Sequence, residues 1–163
     1  MSKSNYTEDD KKFMQRAIAL AEKGMDANAG GPFGAVVVRD GKIIAEGHNN
    51  VTSTNDPTAH AEVVAIRKAC EKLDSFQLTD CILYTSCEPC PMCLGAIYWA
   101  RPKKVFYACN REDAAEINFD DQFIYDEIDK EIENREIDFV CMLRNEAVKV
   151  FDKWADKNDK KVY

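Results

Sequence analysis

The chain has two histidines and seven cysteines, and one histidine and three of the cysteines fall in two short runs. His60 lies in Thr58-Ala59-His60-Ala61-Glu62, and Cys87, Cys90 and Cys93 lie in Cys87-Glu88-Pro89-Cys90-Pro91-Met92-Cys93. Imidazole nitrogen and thiolate sulfur are zinc ligands. Cys90 and Cys93 are three residues apart, so at the start of a helix both sulfurs face one point. Three protein ligands with one open position make a catalytic zinc, which keeps a place for water. Two thiolates already neutralise the ion and so acidify its water less than three histidines would. Two helix N-termini aimed at the metal act the other way, because they favour negative charge there. Glu62, two residues beyond His60, can reach the space past the metal. There a carboxylate takes a proton from water and returns it to a leaving group.

Other readings of these residues stay open at this level. A lone histidine beside an apolar run is often a core residue, and a lone Cys-x-x-Cys is a modest signal. Cys87 as a fourth ligand would close the zinc into a structural site. The run Cys87-x2-Cys90-x2-Cys93 suggests an iron–sulfur motif, but the fourth ligand would fall at Ile97, so that reading fails. A redox Cys-x-x-Cys has no need of His60 or Glu62. His-x-Glu followed by Pro-Cys-x-x-Cys is the zinc deaminase signature, and His60-Ala61-Glu62 with Pro89-Cys90-Pro91-Met92-Cys93 fits it in full. That joint match favours a catalytic site over a structural zinc.

Composition bounds what can surround such a site. The 163 residues, 45% hydrophobic and 31% charged, suffice for one domain with a core and exclude global disorder. The longest apolar run, Cys93 to Ala100, is too short to span a membrane. The first residues, MSKSNYTEDDKKF, lack the apolar region of a secretory signal. A cytoplasmic chain is expected, with metal-binding or buried thiols rather than a disulfide framework. The net charge of −7 is uneven: residues 111–138 hold twelve acids against Arg111, Lys130 and Arg135. Neither that window nor the remainder is a basic footprint for phosphate backbones, so no nucleic-acid partner is expected. Most of the acidic run reads as a solvated helix face.

Periodicity places the motifs on elements. Thr7-Glu8-Asp9-Asp10 reads as a helix start, with Phe13, Ala17, Ile18, Leu20 and Ala21 at helical spacing and Gly24 as the stop. Ala35 to Arg39 and Lys42 to Gly47 read as a hairpin about Asp40-Gly41. Asn49 to Pro57 reads as loop. Thr58 to Leu73 reads as a helix capped at Asp56 or Thr58, and Cys81 to Ser86 as a buried strand. Pro91 to Ala100 follows as a helix with Pro91 in its first turn, then a strand from Lys103 to Cys109. Strands separated by helices imply parallel neighbours in a sheet covered on both faces, with the hairpin antiparallel at one side. Beyond Asn110 the pattern suggests a helix around residues 121–134 and a last strand from Phe139 to Leu143. An amphipathic helix from Asn145 to Asp156, capped by Asn145, precedes a charged tail.

The sequence resembles the cytidine-deaminase-fold superfamily and, within it, the bacterial-type guanine deaminases. The resemblance rests on GGPFGAVVV (30–38), NDPTAHAEVVAIRKAC (55–70), LYTSCEPCPMCLGAIYWARPKKVFYAC (83–109), FDDQFIY (119–125) and a chain ending in an aromatic residue. It runs from Phe13 onward and is weakest over residues 126–160. It implies an α/β, three-layer α-β-α fold with a central mixed five-stranded sheet. It also implies one zinc-dependent deaminase domain over 1–163, whose C-terminal helix and tail (144–163) are exchanged with a partner in a homodimer. The implied reaction is hydrolytic deamination of guanine to xanthine and ammonia. His60, Cys90 and Cys93 would hold zinc, and Glu62 would shuttle protons while a water attacks C2 of the purine. Asn49, rather than the neighbouring Asn50, would bond the ring edge, and Asp121 would meet the 2-amino group. Phe33 and Trp99 would stack on the purine or pack in the core, and Tyr163 would cap a partner's site. Alternative readings are a guanosine, cytosine or other small-heterocycle deaminase, a tRNA adenosine deaminase, and a zinc-stabilised interaction module. The acidic balance opposes the tRNA reading, and Glu62 has no task in an interaction module.

Overall fold

In the computed structural model, which describes residues 6–163, Thr7 opens the first helix through a reciprocal cap. Its hydroxyl accepts from the Asp10 N–H at 3.2 Å, and its own N–H donates to the Asp10 carboxylate at 2.7 Å. The N-terminal stretch that lacks an export pattern begins in residues 1–5, outside the described residues. Helix α1 (Glu8–Asp26) runs two residues past Gly24, which is buried within it. The hairpin forms as its turn residues require: Asp40 and Gly41 both have positive φ, joining β1 (Gly34–Arg39) to β2 (Lys42–His48). The polar loop after it holds a one-turn helix, α2 (Val51–Thr54). Then come α3 (Ala61–Leu73), β3 (Cys81–Cys87), α4 (Pro91–Ala100), β4 (Lys104–Cys109) and α5 (Arg111–Glu116). Helices α2 and α5 are too short to announce themselves by periodicity.

The sheet has the order β2-β1-β3-β4, with β1 antiparallel to β2 and β3, and β3 parallel to β4. The antiparallel β1–β3 pairing was not expected; the hairpin inserts by β1 and leaves β2 at the edge. Strand β1 is covered on both sides. Ala35 and Val37 pack with Ala61, Ala65, Ala69, Leu83 and Ile97 beneath α3 and α4, while Val36 and Val38 pack with Ala17, Leu20 and Tyr84 beneath α1. This gives the expected three layers, with helices on both faces.

The sheet has four strands among the described residues, not five. The expected fifth strand, Phe139 to Leu143, is absent. Phe139, Val140, Met142 and Leu143 are exposed, and Leu143 takes a left-handed conformation that breaks an extended run. The structure divides into two compact units, Met1–Asp121 and Gln122–Tyr163. The second unit holds α6 (Gln122–Asp129), a 3-10 turn (Ile132–Asn134) and α7 (Arg144–Asp156). Helix α7 starts after Leu143, not at an Asn145 cap. No helix among the described residues is long and apolar enough to cross a membrane.

Candidate active site

Because β1 runs against its neighbours, its N-terminal end lies at the edge where β2, β3 and β4 finish. That edge collects the loop 30–33, Asn49, the starts of α3 and α4, and the segment after Cys109. Gly47 brings the start of α3 down onto β2: a Cβ there would lie 2.4 Å from the Ala61 carbonyl. Helix α3 starts at Ala61, three residues later than expected, so His60 is its N-cap with no side-chain cap bond. The upstream Asp56 instead holds the approach loop, accepting from both the N–H and the hydroxyl of Thr58 at 2.8 and 2.7 Å. Cys90 is likewise the N-cap of α4, and Pro91 fills the first helical position. The two caps are therefore free to act as ligands, each at the positive end of a helix.

His60 Nδ1 lies 3.5 Å from the sulfurs of Cys90 and Cys93, and the three donor atoms all lie within 4.8 Å of one another. A tetrahedral zinc with ordinary bond lengths sets sulfur and nitrogen ligands about 3.6 Å apart, so this donor set fits the ion in type and spacing. Cys87 stands apart. Its thiol faces the Asn110 carbonyl at 3.5 Å, and burial pushes its pKa up to about 12. Hydrogen bonding from Cys93, together with the imidazole of His60, outweighs burial and pulls Cys90 down to about 4; Cys93 is pushed up in turn. Without a cation the pair thus keeps a thiolate on Cys90. Partnership with Cys90 also raises the His60 imidazole, against the effect of burial.

Glu62, in the first turn of α3, is buried. Its Oε1 accepts from the Thr85 hydroxyl at 3.1 Å, and its Oε2 from the Cys93 thiol at 3.5 Å. Burial pushes this carboxyl up, with the charge on Cys90 adding to it, so it is prepared to hold a proton.

A family model described as the cytidine and deoxycytidylate deaminase zinc-binding region matches residues 7–109. The chain belongs to this deaminase family. A guanine deaminase of Bacillus subtilis is 64% identical over 151 residues, covering 93% of this chain and 97% of that protein. An X-ray structure of guanine deaminase from Bacillus subtilis superposes with a TM-score of 0.91 at 63% identity, over 94% of this chain and 98% of that one. A tRNA-specific adenosine deaminase of Aquifex aeolicus is 46% identical over 96 residues, 59% of this chain and 63% of that protein. As in the family, the cofactor of this deaminase is zinc.

The remaining residues expected at the site divide into two groups. Asn49 is buried at the end of β2. Its Oδ1 accepts from the Val51 N–H at 3.1 Å, and Gly30 leaves room for it, since a Cβ there would meet that oxygen at 2.0 Å. Asn50 is occupied differently: its N–H donates to the Ala59 carbonyl at 2.9 Å, tying this loop to the residue before His60. Phe33 is half-buried and meets Phe119 edge-to-face at 5.0 Å. Burial raises the Asp121 carboxyl, and the negative charge of Cys90 adds to it. Trp99 is not brought to that cluster within this chain. It is exposed near the C-terminal end of α4, about 13.5 Å along the helix axis from Cys90. Tyr163 is exposed at the end of the second unit. The sequence reading missed Thr85. Its signal was a polar residue inside a strand otherwise read as buried, and nothing local identified its partner.

Proposed function

We infer that this deaminase hydrolyses guanine to xanthine and ammonia. The observation that carries this is the 64% identity to a guanine deaminase, which extends over 151 residues and so well beyond the zinc-binding region at 7–109. His60, Cys90 and Cys93 would hold the zinc, which would supply an acidified water. Glu62 takes a proton from the water whose oxygen bonds to C2 of the purine, on its own oxygen facing the cluster, and delivers that proton to a purine ring nitrogen. It then carries the second proton to the departing 2-amino group, so one water is consumed and one ammonia leaves. The raised carboxyl suits this work, because it can hold a proton between the two transfers.

Asn49 is fixed by Val51 and Gly30 and presents its amide N–H groups to the ring edge. Asp121 bonds the 2-amino group, and Phe33, backed by Phe119, walls the purine. The partner is a small-molecule purine in a cytoplasmic enzyme.

The two units work as one domain in a homodimer, with residues 144–163 exchanged between copies. Among the described residues, none in Gln122–Tyr163 is buried, although Phe123, Val150, Phe151 and Trp154 are apolar. Helix α4 in turn exposes Leu94, Tyr98 and Trp99. A two-fold pair supplies both surfaces with a complement twice over, and it lets Trp99 and Tyr163 close a neighbouring pocket.

Ammonia release from guanine, guanosine, adenine and tRNA in competition tests the substrate, and sedimentation tests the pair. Guanine turnover well above the other three, by a dimer, is expected. Preference for guanosine would make this a nucleoside enzyme, and preference for tRNA would overturn the assignment. A monomer as active as this reading requires would remove the exchange.

A further inference from the structure

Thr85 sits at the stiffest point of the sheet. It is in β3, paired on one side with Ala35 of β1 and on the other with Tyr107 of β4, and it is almost wholly buried. Its β-branched side chain has few rotamers to choose from. Its hydroxyl donates to Glu62 Oε1 at 3.1 Å. The other oxygen, Oε2, meets the thiol of Cys93 at 3.5 Å. Of the two contacts the Thr85 hydrogen bond is the shorter, and it comes from the sheet rather than from the donor cluster.

We propose that Thr85 is the positioning residue of the proton shuttle, anchoring Glu62 through Oε1 so that Oε2, the oxygen beside Cys93, carries the proton. The inference rests on the reading of Glu62 as the shuttle. A carboxylate on three rotatable bonds could otherwise turn either oxygen toward the cluster, and proton transfer depends on alignment within about 0.5 Å. The hydrogen bond fixes that choice from a rigid strand without touching the substrate.

Thr85→Val keeps the shape of the side chain and removes the donor; Thr85→Ser keeps the donor. With zinc content unchanged, Thr85→Val should lower kcat for guanine about 10- to 100-fold, the usual scale of one hydrogen bond to a charged group, with KM moving less than about 3-fold. Thr85→Ser should recover most of kcat. A second readout needs no turnover. A cycle of Thr85→Val and Glu62→Ala should show the pair coupled by about 10-fold in the unfolding equilibrium. A buried hydroxyl that only fills space would lower stability and leave kcat alone. Normal kcat in Thr85→Val, or a serine variant as slow as the valine one, overturns the proposal. If the valine chain does not fold, Thr85→Ala against Thr85→Ser reads the same contrast. Should Glu62→Gln keep full turnover, the shuttle reading falls first. Should Glu62→Gln be dead while Thr85→Val is normal, only the positioning role falls.

Discussion

In Met1–Asp121, β1 buries five consecutive residues from Gly34 to Val38, whereas in Gln122–Tyr163 no described residue is buried at all. Both stretches hold apolar side chains at amphipathic spacing, so composition is not what separates them. The first has a sheet to pack on, and each strand position finds a helix above or below it. The helices of the second keep their apolar faces, such as Val150, Phe151 and Trp154, open. The chemistry follows the same division. His60, Glu62, Thr85, Cys90 and Cys93 hang on helix starts and a central strand, where positions are fixed to the precision that proton transfer demands. The residue of the second unit expected at the site, Tyr163, stands exposed on a tail.

Cysteine replacement tests the rigid side of this contrast most severely. Cys90→Ala should lose zinc and all measurable turnover, while Cys87→Ala should keep one zinc per chain by metal analysis. Zinc lost from Cys87→Ala and retained by Cys90→Ala would reverse the ligand assignment. Glu62→Gln comes next. It should retain zinc and fold yet lose about 10²- to 10⁴-fold in kcat, the range for a positioned general acid–base. Normal metal content with substantial turnover would remove Glu62 as the shuttle.

A paired experiment sets the two regions against each other. Leu83 is fully buried in β3, and Leu83→Ala should cost about 2–5 kcal/mol of stability in denaturant unfolding through lost burial and a cavity. Removal of Tyr163 alone should leave the unfolding midpoint and zinc unchanged but lower guanine turnover several-fold. If the tyrosine deletion instead destabilises the chain and spares turnover, the tail is a structural strut and the division drawn above is wrong.

How much of this could be read beforehand follows the same line. The gathering of His60, Cys90 and Cys93 with Glu62 beside them was legible because these residues stand at helix starts with fixed spacing, and the hairpin because Asp40-Gly41 demands positive φ. The start of α3 was misread by three residues. Asp56 or Thr58 looks like a cap, but those side chains serve the loop, and the true cap, His60, makes no side-chain cap bond. Thr85 was invisible since its importance lies in a partner 23 residues away on another element. The false strand at Phe139 to Leu143 shows the opposite failure. An apolar, β-branched stretch looks like a strand, but a strand forms only where an open sheet edge meets it. Trp99 was expected to stack on the purine or pack in the core, and the direction of α4 sets it apart from its own chain's cluster, exposed at the far end of the helix.

The smallest effect lies within the rigid region but on the face away from the chemistry. Tyr84, stacked on Phe106 at 5.1 Å and tilted against Phe13 at 5.3 Å, donates its hydroxyl to Asp10 Oδ1 at 2.5 Å. This bond ties the first turn of α1 to β3. Tyr84→Phe keeps the ring and should cost about 1 kcal/mol, the net worth of one such bond. Burial pushes the Asp10 carboxyl up, but hydrogen bonds from Tyr84 and Thr7 outweigh it and hold the group below the usual carboxylate range. A lowered folded-state value means the stabilisation is present above the ordinary carboxylate pKa of about 4 and is lost as pH falls through the lower value. Burial and Asp10 raise the Tyr84 phenol, so its proton stays in place through neutral pH. The gap between wild type and Tyr84→Phe should therefore hold steady from about pH 5 to 9 and narrow in acid below about pH 4. Urea unfolding at pH 7 and pH 3, with guanine turnover measured alongside, checks both parts. No gap at either pH would show that the ring, not the Asp10 bond, holds α1 down, and an equal, non-zero gap would show that the hydroxyl acts independently of the Asp10 charge. A fall in kcat comparable to that of Thr85→Val would show that the two faces of β3 are not independent.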